Sequence, residues 1–142
     1  MKTNVHYVDT QYFINYEKKT VVCKLTIQVP LAVIKYPEAV MKLPRTNAFI
    51  TSHKIVEDQK VGAVLFTVIS KSKCAPEDAF NKELGKKIAL TRAQAKAFTK
   101  ASNFYGTLLT LINEELCDNL VDLESNCYNS ATTCYEHAYE LS

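Results

Sequence analysis

The chain has 142 residues, of which 47% are hydrophobic and 23% are charged. This length and balance are typical of a single globular domain and argue against a disordered chain. No apolar run approaches the roughly 18 residues of a membrane span, and the polar stretch 1–10 has no signal-peptide core. Five cysteines without a CxxC pair favour a reduced, cytoplasmic protein over a disulfide framework.

Charge is distributed unevenly along the chain. Residues 1–100 carry all 17 lysines and arginines against eight acids, whereas residues 101–142 carry seven acids and no lysine or arginine. A positive surface of this kind attracts anions. The asymmetry fits an anion-binding site and charge complementarity equally well. In the second case the basic and acidic regions would face each other within one chain or between two subunits. The sequence leaves both interpretations open.

The first half of the chain is patterned as strands. Hydrophobic residues recur at every second position from Val21 to Val29, the period of a strand with one buried face. The run 6–16 is rich in aromatic and β-branched residues, and residues 17–19 suit a tight turn, so we expect a β-hairpin. Three prolines interrupt residues 30–47, which predicts a short helix or an irregular loop.

Two more strands are expected before the chain changes character. Residues 48–56 are a third strand candidate, and residues 61–70 are a fourth. The fourth run is apolar on both faces, which is typical of a central strand. Residues 1–71 are therefore predicted to be mainly strands.

The second half is patterned as helices. Pro76, Glu77 and Asp78 suit the first turn of a basic helix over 74–101. Its buried stripe is predicted from helical spacing to be Phe80, Leu84, Ile88, Ala95 and Phe98. Residues 102–106 predict a break in the helix.

An acidic helical region follows over 106–141. Its final part repeats apolar or small residues at intervals of three and four, which indicates packing against a partner, either within this chain or in another copy. Strands followed by helices predict one α+β domain over residues 1–142: an N-terminal antiparallel β-sheet of about four strands, then two or three α-helices.

No catalytic signature is present. The three histidines are far apart in sequence, and three glycines cannot build a glycine-rich phosphate loop. Cys127, Cys134 and His137 lie at spacings that put them on one helix face, where they suit either a zinc site or ordinary packing. Because a fourth ligand is missing, we favour packing and expect no bound metal. Because no catalytic signature is present, we expect neither a cofactor nor enzymatic activity.

The basic helix is the most informative segment. It carries six basic residues with only one acid opposing them beyond its first turn: Lys82, Lys86, Lys87, Arg92, Lys96 and Lys100. Such a helix has either a solvated face or a phosphate-binding flank. Arg92 favours the second interpretation, because the chain has only two arginines and the guanidinium group suits bidentate phosphate contacts.

A known family shares features of this segment. The residues Cys74–Phe80, Gly85, Ile88–Ala89 and Arg92–Ala93, placed after an apolar strand, resemble the phage Thoeris anti-defence family of nucleotide sponges. The resemblance implies a protein that binds cyclic ADP-ribose signals, or cyclic oligonucleotides, without cleaving them. It also implies a dimer or higher homo-oligomer that holds the signal between its subunits, and a site of action in the cytoplasm of an infected bacterial cell.

The physical pattern and the resemblance together predict the ligand contacts. Arg92, with Lys87 or Lys96, is expected to bind the phosphates. Arg45, in the proline-spaced segment, is expected to close over the ligand from the same or a neighbouring chain.

Flat bases need a different set of contacts. Phe80 or Phe104 is expected to stack on a base, and Thr91 and Asn103 are expected to hydrogen-bond to the base or the ribose. An alternative is a small nucleic-acid-binding module, which the acidic last third of the chain disfavours because it repels a long polyanion. A third alternative is a structural protein whose helices only oligomerise.

Overall fold

The computed structural model describes residues 5–31, 38–58 and 61–141. Within them, four strands form one antiparallel sheet in the order β1-β2-β4-β3: β1 (His6–Asn15), β2 (Thr20–Pro30), β3 (Lys54–Asp58) and β4 (Val61–Lys73). Two short helices, α1 (Glu38–Met41) and α2 (Pro44–Thr51), precede β3, and the long helix α3 (Lys82–Leu141) follows β4. The predicted α+β class with an N-terminal antiparallel sheet is confirmed.

The predicted hairpin is also confirmed. β1 and β2 pair in a register that sets Phe13 opposite Val22, and the turn between them ends at Lys19, whose φ is 52°. Alternate residues of β2 from Val21 to Val29 are fully buried. The period of two therefore identified the buried face of the strand correctly.

The third predicted strand is only partly correct. Residues 48–51 belong to α2, which has Pro44 in its first turn, where a missing N–H costs no hydrogen bond. β3 begins at Lys54 and pairs with the first five residues of β4. Residues 32–37 of the proline-spaced segment lie outside the described residues.

The predicted helix break was wrong. α3 runs without interruption through residues 102–106, and it also passes Ser125 and Asn126. It begins at Lys82 rather than near Pro76, because the Asn81 side chain caps its first turn by accepting a hydrogen bond from the Leu84 N–H at 3.1 Å. At 1.5 Å per residue the helix is about 90 Å long.

The buried face of α3 also differs from the prediction. Small residues at intervals of four face the sheet: Gly85, Ala89, Ala93, Ala97 and Ala101. Leu84, Ile88 and Phe98 are exposed instead. The physical reason is proximity: a Cβ on Gly85 would lie 2.8 Å from Val21 Cγ2, so only small side chains fit between this helix and β2.

Burial of α3 against the rest of the domain ends a little beyond the middle of the helix. Phe104, Leu108, Ile112 and Glu115 are its last buried residues, and every residue from Cys117 to Leu141 is exposed. We call residues 117–141 the tail. No helix in the described ranges has both the length and the apolar character to cross a membrane.

Candidate functional site

The free edge of β4 forms one wall of the candidate site. β3 pairs only with residues 61–65 of β4, whereas β2 pairs with residues 63–73 on the other side. Among the described residues, no strand pairs with the β3 side of residues 66–73. The backbone groups on that side need other partners, since unpaired peptide groups are costly when they are buried away from water.

The basic side chains of α3 supply two of those partners. Arg92 Nη1 donates to the Lys71 carbonyl oxygen, and Lys96 Nζ donates to the Ile69 carbonyl oxygen, each at 2.8 Å. Both side chains therefore lie across the gap between the helix and the strand. We call this gap, between residues 66–73 of β4 and residues 84–100 of α3, the edge groove.

A hollow lies at each end of the edge groove. The first, of about 260 Å³, is at the start of α3 and has apolar walls that include Phe80, Leu84 and Ile88. The second, of about 610 Å³, is wider and is lined by residues such as Ile69, Ala95 and Lys100. Arg92 lies between the two hollows in sequence, so the groove combines apolar surfaces with a central positive charge.

Local electrostatics in the groove favour an anion. Arg92, Lys96 and Lys100 follow one another at intervals of four on one side of α3. Arg92 uses one of its five N–H donors on the Lys71 carbonyl, which leaves the others available to a ligand. A guanidinium group that is already held in place loses little conformational entropy when it binds a phosphate.

Two predicted contact residues lie on a different side of the helix, and a third lies beyond the end of the edge groove. Lys87 and Thr91 are each two positions from a buried alanine, Ala89 or Ala93, which places them about 200° around the helix from the sheet. Asn103 is exposed as well. It follows Lys96 by seven residues, about two helical turns, so it lies on the same side of α3 as Arg92 and Lys96 but beyond Lys100. The Thr91 hydroxyl donates to the Lys87 carbonyl oxygen at 2.9 Å. None of the three lines either hollow of the edge groove.

The two predicted stacking residues have different surroundings. Phe104 is only 3% exposed and is stacked on Phe49 at a centroid distance of 5.4 Å, with His53 and Phe66 against its edges. This ring belongs to the core and has no free face for a base. Phe80 is half-buried, contacts Tyr16 edge-on, and lines the first hollow. Phe80 thus remains available to a ligand.

Arg45 lies away from the edge groove, at the junction of α2 and α3. It forms ion pairs with Asp118 at 2.9 Å and with Glu114 at 3.7 Å. The structure therefore explains this arginine by contacts within the chain, and it does not bring Arg45 to Arg92.

The same junction contains a buried carboxylate. Glu115 Oε1 accepts hydrogen bonds from the N–H and the hydroxyl of Thr46, in the first turn of α2. Burial raises the pKa of Glu115, but hydrogen bonds from the Arg45 and Thr46 backbone and the Thr46 hydroxyl, together with the Arg45 charge, outweigh it and lower the pKa overall. Glu115 thus caps α2 through a tertiary contact.

Sequence reasoning missed the strand side of the groove. Ile69, Lys71 and Thr67 contribute to it because β4 is 13 residues long whereas β3 has only five. The apolar run 61–70 could have suggested a long strand. That its neighbour β3 is short is visible only in the tertiary structure. Cys127, Cys134 and His137 are exposed on the tail, and the described ranges contain no metal-binding group of three or more His, Cys, Asp or Glu residues.

No protein-family model, curated protein or solved structure matches the chain. The resemblance to nucleotide sponges therefore stays a prediction, and the geometry of the edge groove has to carry the functional argument.

Proposed function

We propose that this protein is a non-catalytic binder that sequesters small anionic nucleotides, namely cyclic nucleotide immune signals such as cyclic ADP-ribose isomers or cyclic oligonucleotides. In this proposal it is phage-encoded and acts in the bacterial cytoplasm as a homo-oligomer that inhibits anti-phage defence. One observation carries the proposal: Arg92 and Lys96 are held by the free edge of β4 beside two partly apolar hollows.

The groove matches the chemistry of a compact nucleotide. A phosphate placed at the centre would accept charge-assisted hydrogen bonds from Arg92 and Lys96. A base placed in the first hollow would contact Phe80, Leu84 and Ile88, which form an apolar surface with an aromatic ring. Ligand sites commonly combine apolar walls with a few oriented polar groups in this way.

The structure changes the expected roles of the other residues. Phe104 is better assigned to packing and Arg45 to the junction with α2. Lys87 and Thr91 lie on another side of α3, so they would reach a ligand only if a second subunit brought one there. Asn103 lies on the groove side but outside both hollows. A binder needs tight association and many copies, and it needs no general base or nucleophile.

Isothermal titration with cyclic ADP-ribose isomers and with cyclic di- and trinucleotides tests the proposal. We expect saturable binding to at least one of them and recovery of the intact ligand after the complex is heated. Arg92→Ala should weaken binding by about 10- to 100-fold, the loss expected for a hydrogen bond to a charged group.

Lys24→Ala is the matched control. It removes one positive charge from an exposed position on β2, away from the edge groove, and should leave the affinity unchanged. Absence of binding to every nucleotide, or an equal effect of both substitutions, would contradict the proposal. Recovery of a cleaved ligand would show that the protein hydrolyses the nucleotide and does not sequester it.

A nucleic-acid-binding module is the second candidate, and the length of the cationic segment of α3 favours it. The cationic side chains from Lys82 to Lys100 extend along α3 for about 27 Å, more than a single small nucleotide requires. Affinity for an oligonucleotide would then fall steeply with salt, and cyclic nucleotides would not compete. Titrations with an oligonucleotide at two salt concentrations separate the two candidates.

A further inference from the structure

The tail presents two metal-ligating side chains to solvent on one turn of helix. Cys134 and His137 are three residues apart in α3, and both are exposed. Side chains at this spacing are neighbours on a helix surface, with Cβ atoms about 5–6 Å apart, so one ion can bind both. Within the described residues, neither side chain has a hydrogen bond or ring contact that would occupy its sulfur or nitrogen atoms.

Zinc is the ion that suits these two ligands. It binds thiolate sulfur at about 2.3 Å and imidazole nitrogen at about 2.0–2.1 Å, and structural zinc sites have four ligands in a tetrahedron. Cys127 does not serve as a third ligand in the same chain, because it lies one heptad, about 10 Å, before Cys134. A single chain therefore holds half of a zinc site.

The same side of the tail has the pattern of a helix that pairs with another helix. Read as heptads, its a and d positions are Leu120, Leu123, Cys127, Ser130, Cys134, His137 and Leu141. All of them are exposed. Leu120 follows the sheet-facing Ala93 by about seven and a half turns, so this side begins opposite the face that packs on the sheet. Both zinc ligands thus lie where a partner helix would meet the tail.

We propose that two copies of this protein bind one zinc ion between parallel tails, with Cys134 Sγ and one imidazole nitrogen of His137 from each copy as the four ligands. In a parallel pair, each a or d residue lies opposite the same residue of the other chain, so both copies of the half-site surround the twofold axis. A tetrahedral ion with two sulfur and two nitrogen ligands has the same twofold symmetry. On binding, each Cys134 thiol loses its proton to solvent, and the two thiolates neutralise the charge of the ion.

The second copy changes the count of ligands on which the expectation of no bound metal was based. One tail offers two ligands, and a twofold axis supplies the missing two. The site lies about 60 Å from Arg92 along α3, and the hollows of the edge groove end about 30 Å before Leu120. The zinc site therefore leaves the groove open and goes beyond the proposed nucleotide binding.

The remaining heptad positions favour the parallel orientation. An antiparallel pair that joined the two half-sites would have its axis near residue 135, and only residues 130–141 of the tails would overlap. Leu120 and Leu123 would then be left uncovered, although each is more than half exposed in a single chain. The parallel pair overlaps along the whole tail and sets each leucine against its counterpart. Asp118, Asp122 and Glu136 fall at f and c positions, so they lie away from the contact.

Zinc should determine whether the pair forms. Only three of the seven a and d positions are leucine, so the apolar contact between the tails is small. An ion that binds the pair but not the single chain adds its binding free energy to association. Pairing through the tail is therefore zinc-dependent.

Sedimentation equilibrium of the full, reduced chain tests this dependence. Saturating zinc should lower the dimer dissociation constant at least about 100-fold relative to the protein with a chelator. Cobalt(II) is the spectroscopic probe for the site: we expect one ion per two chains, with the visible bands of tetrahedral cobalt and thiolate ligands. The same association with zinc and with chelator, or one ion per chain, would overturn the proposal.

Substitutions assign the ligands. Cys134→Ser and His137→Ala should each abolish zinc-dependent pairing and the tetrahedral cobalt spectrum. Cys117→Ser and His6→Ala are the matched controls, since they remove the same ligand types from exposed positions outside the a and d set and should behave like the wild type. Circular dichroism checks that every variant is folded. Pairing retained in either site variant, or lost in either control, would contradict the assignment.

A disulfide cross-link measures the orientation. In zinc-loaded protein with Cys74→Ser and Cys117→Ser, oxidised glutathione should join the two Cys127 thiols and be reduced to two molecules of glutathione. Parallel tails bring the two Cys127 residues face to face, within the Cα separation of about 4.4–6.8 Å that a disulfide needs. Antiparallel tails would place them about 25 Å apart.

Peptide mass spectrometry without reduction identifies the bond. Absence of the Cys127–Cys127 cross-link would overturn the parallel arrangement. Nucleotide titrations in the presence of chelator are independent of the zinc measurements, so the two proposals can fail separately.

Discussion

The two halves of α3 belong to one helix but are stabilised differently. From Gly85 to Ile112, small and then larger residues pack against the sheet and α2, and burial holds the helix in place. In the tail, the same helical period is present but every residue is exposed. The contrast shows that periodicity indicates a helix and one of its faces, whereas stability depends on what covers that face.

The size of the buried residues sharpens this contrast. The half that packs on the sheet has alanine at four successive turns, and the larger Leu84, Ile88 and Phe98 point elsewhere. The tail carries Leu120 and Leu123 on its apolar side. Where a helix packs closely on a sheet, only small residues fit between them, whereas leucines suit the contact between two helices.

Hydrogen exchange should show the largest difference between the two halves. In the monomeric protein, amides from Ala89 to Ile112 should exchange at least about 100-fold more slowly than amides of the tail, because only the former need global unfolding. Mass spectrometry of peptic fragments measures this. Equal protection in both segments of a verified monomer would show that the tail is stable without a partner.

A pair of glycine substitutions tests the close packing. Gly85→Ala should destabilise the protein by about 1–3 kcal/mol, because its Cβ would lie 2.8 Å from Val21 Cγ2 and 3.2 Å from Ser72 Oγ. Gly106→Ala is the control within the same helix: apart from the backbone of its own helical turns, nothing lies within 4 Å of the added Cβ. It should stabilise the helix by up to about 1 kcal/mol.

Urea denaturation measures both changes as free energies of unfolding. Opposite signs would confirm that proximity to the sheet, rather than helix propensity, determines which residues fit at position 85. A stabilising effect of both substitutions would contradict the packing described for β2 and α3.

The junction between the two halves should respond to acid. The lowered pKa of Glu115 means that its carboxylate stabilises the fold at neutral pH, and that this contribution is lost as the pH falls below about 4.5 and through the folded-state pKa. Glu115→Gln should therefore lose less stability than the wild type between pH 6 and pH 3.

Urea midpoints across this pH range check the prediction. Glu124→Gln is the matched control, since Glu124 is exposed on the tail and should leave the acid dependence of the wild type unchanged. If Glu115→Gln follows the wild-type curve, the Glu115 contact with Thr46 does not contribute to the acid dependence.

Part of the candidate site could be predicted from the sequence. Arg92 and Lys96 were identified because their residue types and spacing suit phosphate, and Phe80 because it accompanies a basic helix; all three lie at the edge groove or its hollows. Lys87 and Thr91 shared that helix but face another direction, and Asn103 lies outside both hollows. The sequence placed these residues on one helix, but it did not show which face of that helix packs on the sheet.

Phe104 and Arg45 show a second limit. Their residue types suit stacking and phosphate binding, yet Phe104 completes an aromatic cluster with Phe49 and Phe66, and Arg45 pairs with Asp118. These partners are 38 to 73 positions away in sequence. A single sequence contains no signal that pairs such distant residues.

The sequence by itself determined the local patterns: the period of two in β2, the helical period of the second half, and the separation of basic from acidic residues. These are properties of neighbouring residues and of composition. Only the tertiary structure decided which face of α3 is buried, where β4 is left without a neighbouring strand, and where the tail leaves the domain. Those features depend on distances between segments far apart in the chain, because packing between surfaces determines which side chains fit between them.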